Sequence, residues 1–187
     1  RKYQYRCASS RDLWEAFEEV SAKPVSKMMS NWIEQPGFPM VTVEREGGNL
    51  HVTQKRFTYM PGPSDQEWLI PISVRVFYGD GQSKGMTTLL DAKSAILDMG
   101  AGAVAYKLND GQSGFYRVRY RDEDNLKELG KQVAIRALPS VDRWGIQDDL
   151  YAMVKRGDAK TEDYLDFLSH YSEEDASLPL SSIAANL

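Results

Sequence analysis

The chain is poor in the residues that build metal and disulfide frameworks: one cysteine, Cys7, and two histidines, His51 and His170, among 187 residues. A lone cysteine cannot close an internal disulfide, which suits a reducing compartment and a cytoplasmic location. The histidines lie far apart and neither stands in a Glu-x-x-His context, so no zinc motif is present. There is no Asn-x-Ser/Thr glycosylation site and no apolar run long enough to cross a bilayer. A net charge of −4 lacks the basic footprint of a nucleic-acid binder. Neither nucleic acid nor membrane is therefore expected as a partner. The chain opens on Arg1 with neither Met nor a signal peptide and stops on Leu187 without a helix stop, which reads as a slice of a longer protein.

What is present is an ordinary globular composition, 42% hydrophobic and 27% charged, whose texture changes twice. Ser10 reads as an N-cap for a helix carrying Leu13, Ala16, Phe17 and Val20, and Pro24 opens a second with Val25, Met28, Met29 and Trp32. Pro36, Gly37 and Pro39 end helical structure. From Met40 to Tyr120 the pattern is strand and turn. Gly47-Gly48-Asn49 marks a hairpin, and Ile70, Ile72, Val74 and Val76 alternate strictly within an expected strand over 67–78. Further strands are expected over 86–90, 95–98, 103–108 and 114–120, making about seven in all. After Arg121 the period is helical again: Asp122 caps one helix, Ser140 opens a second that ends at Gly157, Thr161 opens a third, and a weak one runs through Ile183. The expected fold is a central antiparallel β-sandwich of about seven strands flanked by α-helical segments, with boundaries near 1–38, 39–121 and 122–187.

Four stretches carry a resemblance. Trp32, Gln35, Gly37, Phe38 and Pro39 lead through an apolar strand and a turn to Gln54, Arg56 and Phe57. Tyr3-Gln4-Tyr5 precedes Asp12-Leu13-Trp14. Asn109, Gly111, Gly114, Phe115, Tyr116, Arg117, Val118 and Tyr120 form an Asn-x-Gly-x-x-Gly-Phe-Tyr-Arg-Val-x-Tyr pattern, followed by Asp142-Arg143-x-Gly145-x-x-Asp148. Taken in their order along the chain, they resemble the M1 family of zinc aminopeptidases, and in particular the archaeal tricorn-interacting aminopeptidases. The resemblance implies the tail of a peptidase domain over 1–38, a sandwich domain over 39–121 and the first helices of a C-terminal domain over 122–187. It implies a parent that removes N-terminal residues from peptides with zinc held by a His-Glu-x-x-His helix and a later Glu. Those residues lie upstream in the family, so no catalytic residue, metal or cofactor is expected in this segment. Two other readings stay open: a non-catalytic M1-like scaffold, and a sandwich module that binds peptide at a sheet edge.

The residues themselves favour structural roles. Gln35 and Gln54 are expected to satisfy backbone groups at the junction of peptidase and sandwich domains. His51 belongs on the solvent face of a strand, and His170 complements a helix dipole. Gly79 to Gly85 lacks a Gly-Lys-Ser/Thr ending and lies between strands, so it reads as a hairpin turn, as does the Asp-Gly-Gln-Ser repeat at 110–113. Asp148 and Asp149 point about 100° apart on a helix and do not readily share a group. Asp142, Arg143 and Asp148 are expected to fix the first helices to the sandwich, and Arg117 to pack or form a salt bridge. Trp32, Trp68 and Trp144 read as core or interdomain contacts. Freed from its domain, the apolar stripe of 10–34 is expected to drive self-association.

Overall fold

A computed structural model describes residues 7–60 and 62–187; Tyr3, Gln4 and Tyr5 lie outside them. The chain divides into two compact units, Arg1–Gly37 and Phe38–Leu187. In the first, α1 (Ser10–Ser21) and α2 (Val25–Ile33) form a helix pair. The cap of α1 is Ser9, not Ser10: its hydroxyl accepts from the Asp12 N–H while the Asp12 carboxylate takes the Ser9 N–H at 2.7 Å, a reciprocal capping box. Neither helix has a fully buried residue. The expected stripe of Val25, Met28, Met29 and Trp32 is half-buried, and the more exposed apolar side chains are Leu13, Phe17, Val20 and Ile33.

The second unit is mixed α/β. Its strands are β1 (Pro39–Glu46), β2 (Asn49–Arg56), β3 (Ile70–Tyr78), β4 (Ser83–Leu90), β5 (Ser94–Asp98), β6 (Ala103–Leu108) and β7 (Arg117–Tyr120). They build a four-stranded sheet of order β5-β2-β1-β7 and a three-stranded sheet of order β4-β3-β6. The pairing is not wholly antiparallel, because β7 runs parallel to β1, with Val41 opposite Val118. The hairpin to β2 occupies one edge of β1, so β7, arriving after the excursion through β3, β4 and β6, takes the other. Alternation decides the faces. Val41, Val43, Leu50, Val52, Val118 and Tyr120 are buried on one face of the larger sheet, and Ile70, Ile72, Val74 and Val76 are buried along β3.

Two strands start later than their patterns suggest, for a hydrogen-bonding reason. The N–H and C=O of Trp68 are taken by the Gln54 side chain at 2.8 and 2.9 Å, which keeps 67–69 out of the β3 ladder. The N–H and C=O of Gly114 are likewise taken by the Asn109 side chain at 2.7 and 2.9 Å, delaying β7 to Arg117. Asp110–Gln112 is a 3-10 turn rather than a hairpin turn, with Asn109, Gly111 and Gln112 all at positive φ.

Four helices follow: α3 (Glu123–Ala134), α4 (Ser140–Arg156), α5 (Thr161–Leu168) and α6 (Ser177–Asn186). Asp122 caps α3, its carboxylate accepting from the Asn125 N–H at 3.0 Å. The buried Asn125 amide then pairs with both backbone groups of Tyr106, at 2.8 and 3.1 Å, closing the open edge of β6. The helix α4 ends at Gly157 in the left-handed region, φ 79°.

Candidate functional site

The side chains of the two C-terminal motifs meet where α4 crosses the ends of β6 and β7. Lys107, in an otherwise apolar strand, is enclosed there with Asp142 from the first turn of α4. Its ammonium donates to Asp142 Oδ1 and to the Asn109 carbonyl, both at 2.5 Å, and the Gly111 N–H donates to the same carboxylate oxygen at 2.8 Å. The other oxygen, Asp142 Oδ2, is buried with no hydrogen-bond partner. Burial pulls the Lys107 ammonium below its ordinary pKa, opposed by the charge of Asp142. The Asn109 amide clasps the intervening loop, donating to Gln112 Oε1 at 2.8 Å as well as to Gly114. The Gln112 side chain lies directly over Gly145, in the space that a Cβ there would take.

About two helical turns along α4 from Asp142, Arg117 of β7 donates to both Asp148 and Asp149, the latter at 3.2 Å. Adjacent helix positions thus share one guanidinium, contrary to the expectation from their angular spacing; Arg117 reaches across the helix between them. The second Asp149 oxygen accepts from the Val118 N–H at 3.2 Å. Asp149 is buried, and desolvation raises its pKa to about 7 despite the attraction of Arg117.

Arg143 does not join α4 to the sheets. It forks onto Glu174 at 2.6 and 2.7 Å and donates to the Leu138 carbonyl at 2.6 Å, tying α4 to the segment after α5. That bidentate contact holds Glu174 down at about 2.

The remaining motif residues sit elsewhere. Gln35 donates to the Asn31 carbonyl of its own helix at 2.8 Å. Gln54 is buried and serves backbone groups inside the second unit, at Trp68 and Ala92, rather than at a domain junction. Pro39 starts β1 opposite Arg56, whose guanidinium donates to Gln66 Oε1 at 3.3 Å. Phe38 stacks on Phe57 with centroids 5.3 Å apart and meets Phe115 in a tilted contact at 5.1 Å. Gly37 takes φ 93°, Trp32 is half-buried on α2, and Tyr116 is buried. Trp68 is core, whereas Trp144 is half-buried.

The zinc implied by the resemblance has no fitting ligand set here: among the described residues no three His, Cys, Asp or Glu side chains converge. His51 pairs with Glu46 at 2.9 Å, and His170 lies in the last turn of the 3-10 segment Ser169–Tyr171 that follows α5, packed against Phe167 and over Gly130. Asp149 can hold a proton, and the enclosed Asp142 and Asp149 fix geometry, but they offer a reacting group no approach. An open cleft of about 430 Å³ does lie beside them, with Leu126, Met153 and Phe167 in its wall and Arg119, Asp158 and His170 among its polar lining. Among the described residues no helix is long and apolar enough to cross a membrane. Lys107 and Asp149 were the site residues hardest to assign from sequence; the one available signal was a lysine inside the apolar run of β6.

Residues 105–187 match the family model of the ERAP1-like C-terminal domain. Along 99% of its length the chain is 36% identical to the tricorn protease-interacting factor F2 of Thermoplasma acidophilum, of which it spans 22%. It is 34% identical over 94% of its length to the puromycin-sensitive aminopeptidase of Caenorhabditis elegans, spanning 19% of that protein. It is also 30% identical over 99% of its length to aminopeptidase M1 of Arabidopsis thaliana, spanning 22%. The chain therefore spans about a fifth of the curated relatives it matches.

Proposed function

We propose, on the premise that this chain is an M1-family aminopeptidase segment, that it is the structural link between the catalytic and C-terminal parts of a zinc aminopeptidase. The parent would hydrolyse N-terminal residues from peptides in the cytoplasm. This segment supplies a β-sandwich made of the two sheets, and the first helices of a helical domain. The observation that carries the reading is the use to which the motif residues are put. Asn109, Gly114, Arg117, Asp142 and Asp148 are all engaged in fastening α4 to β6 and β7. Similarity to aminopeptidases over nearly the whole chain supplies the activity of the parent. In isolation the chain is inactive and binds no zinc, and its first two helices self-associate.

The test uses a longer product of the same gene that includes the sequence upstream of Arg1. It should cleave aminoacyl amides in a chelator-sensitive way. Lys107→Met in that protein should lower its melting temperature while leaving kcat and KM of the folded enzyme within about twofold, as for a residue outside the reacting groups. A longer product with no hydrolysis, and no His-Glu-x-x-His in its sequence, would point instead to the scaffold reading.

A further inference from the structure

Of the edges of the two sheets, all but one are closed or short. Along β6 the Asn125 amide takes both backbone groups of Tyr106, and on β7 the Asp149 carboxylate takes the Val118 N–H. The edge strand β5 runs only five residues, Ser94–Asp98. The remaining edge is β4, eight residues long and paired on one side only, with β3. Its open side can be assigned residue by residue. The Tyr78 N–H bonds the Gln82 carbonyl, continuing the β3–β4 ladder, and Val76 lies opposite Tyr106, whose backbone turns away from β3 to Asn125. Even-numbered residues of β3 therefore bond to β4, where they meet Lys84, Met86, Thr88 and Leu90. The N–H and C=O of Ser83, Gly85, Thr87 and Leu89 point the other way, and among the described residues no group bonds to them.

The flank of the sheet is open as well. Met86 and Thr88 share a face with Val74 and Ile72, which are buried, yet both are only half-buried themselves. A further strand beside β4 would cover them. Hydrogen-bonding groups repeated at every second residue of an extended backbone are matched in full by another extended backbone. The usual devices that blunt an edge are sparse here: β4 has no proline, no bulge against β3, and Lys84 near its start as its one charge.

We propose that β4 is a self-pairing edge whose occupant is a second copy of this chain, running antiparallel about a two-fold axis at Met86. The strand itself selects this register. With the axis midway between two residues, the open groups of one copy would meet residues of the other that are already bonded to β3. Centred on Met86, Ser83 exchanges hydrogen bonds with Leu89 of the second copy and Gly85 with Thr87, so every open residue of β4 is used. Between those rungs Met86 faces Met86, each covering the other's open flank, and Lys84 faces Thr88 instead of another lysine. The strand's one charge thus opposes nothing of its own sign. The two smaller sheets join into one continuous sheet of order β6-β3-β4-β4-β3-β6. The inference does not depend on the peptidase reading, because it uses only groups present in this chain.

The experiment is backbone amide exchange of the 187-residue chain at roughly 10 μM and roughly 1 mM. We expect exchange at Ser83, Gly85, Thr87 and Leu89 to slow by about tenfold or more at the higher concentration. Lys84, Met86 and Thr88, already bonded to β3, should change little. Thr87→Pro removes one outward N–H and leaves the β3 ladder intact, so it should abolish the slowing while β3 stays protected. A second readout is disulfide formation in a Cys7→Ser background. Met86→Cys should oxidise to a linked dimer about tenfold faster than Ser94→Cys on the edge of β5, because facing residues on a non-hydrogen-bonded rung come within disulfide reach. Exchange at the open residues of β4 that does not depend on concentration would overturn the proposal, as would equal oxidation of the two cysteine variants. So would association that protects only α1 and α2, which would place the contact away from this edge.

Discussion

Lys107 and Asp142 are both enclosed, each against the other, so the consequences of removing one are asymmetric. Lys107→Met leaves a buried carboxylate without its cation and should cost about 3–5 kcal/mol, measured by urea unfolding. The double variant Lys107→Met/Asp142→Leu removes both charges and should recover most of that loss. If the double variant is no more stable than the single one, the pair is not the coupled unit described. Asp149 makes a second residue-level prediction. Its folded pKa, about 7, lies above the ordinary aspartate value of 3.8, so the folded chain holds a proton that the unfolded chain has released. The associated stability is present at low pH and is lost as pH rises through about 7. Between pH 5 and 7 unfolding free energy should fall by up to about 1.4 kcal/mol per pH unit, then level off. Asp149→Asn should flatten that slope; an unchanged slope in Asp149→Asn would assign it to another group. These roles were only partly legible in the sequence. The Asp-Arg-x-Gly-x-x-Asp spacing marks a helix fastened to something, but which strand residue receives each carboxylate depends on the crossover that brings β6 and β7 beneath α4.

At the scale of elements, the helix stops and the alternating strands could be read directly. Gly157 ends α4 as its position suggests, and β3 buries every second residue from Ile70 to Val76. Strand starts and pairing direction were less legible, because side chains compete with the ladder for backbone groups. Gln54 and Asn109 capture the backbone at Trp68 and Gly114, an effect that no local periodicity encodes. The parallel β1–β7 pair is non-local in the same way, being settled by which edge of β1 remains after the hairpin forms. Gln54→Leu tests this element-level role. It would strip three hydrogen bonds that join β2 to the approaches of β3 and β5, at about 1–3 kcal/mol for each backbone group left unmatched. Thermal unfolding should show the loss, and amide exchange should speed first around Trp68 and Ala92. Uniform acceleration across the second unit would instead mean that the amide is only one contact among many.

For the molecule as a whole, α1 and α2 contain no fully buried residue and expose Leu13, Phe17, Val20 and Ile33. We expect concentration-dependent association by sedimentation velocity, reduced by Leu13→Gln together with Phe17→Gln. A single monomeric species across a hundredfold range of concentration, roughly from μM upward, would remove that proposal. The larger proposal is that this stretch contributes fastening rather than chemistry to the parent protein proposed above. The purified 187-residue chain answers it through two readouts taken together: bound zinc by elemental analysis, and turnover of aminoacyl amides with zinc supplied. We expect substoichiometric metal and no turnover above buffer. Stoichiometric zinc with chelator-sensitive cleavage would show that this stretch carries an active site of its own.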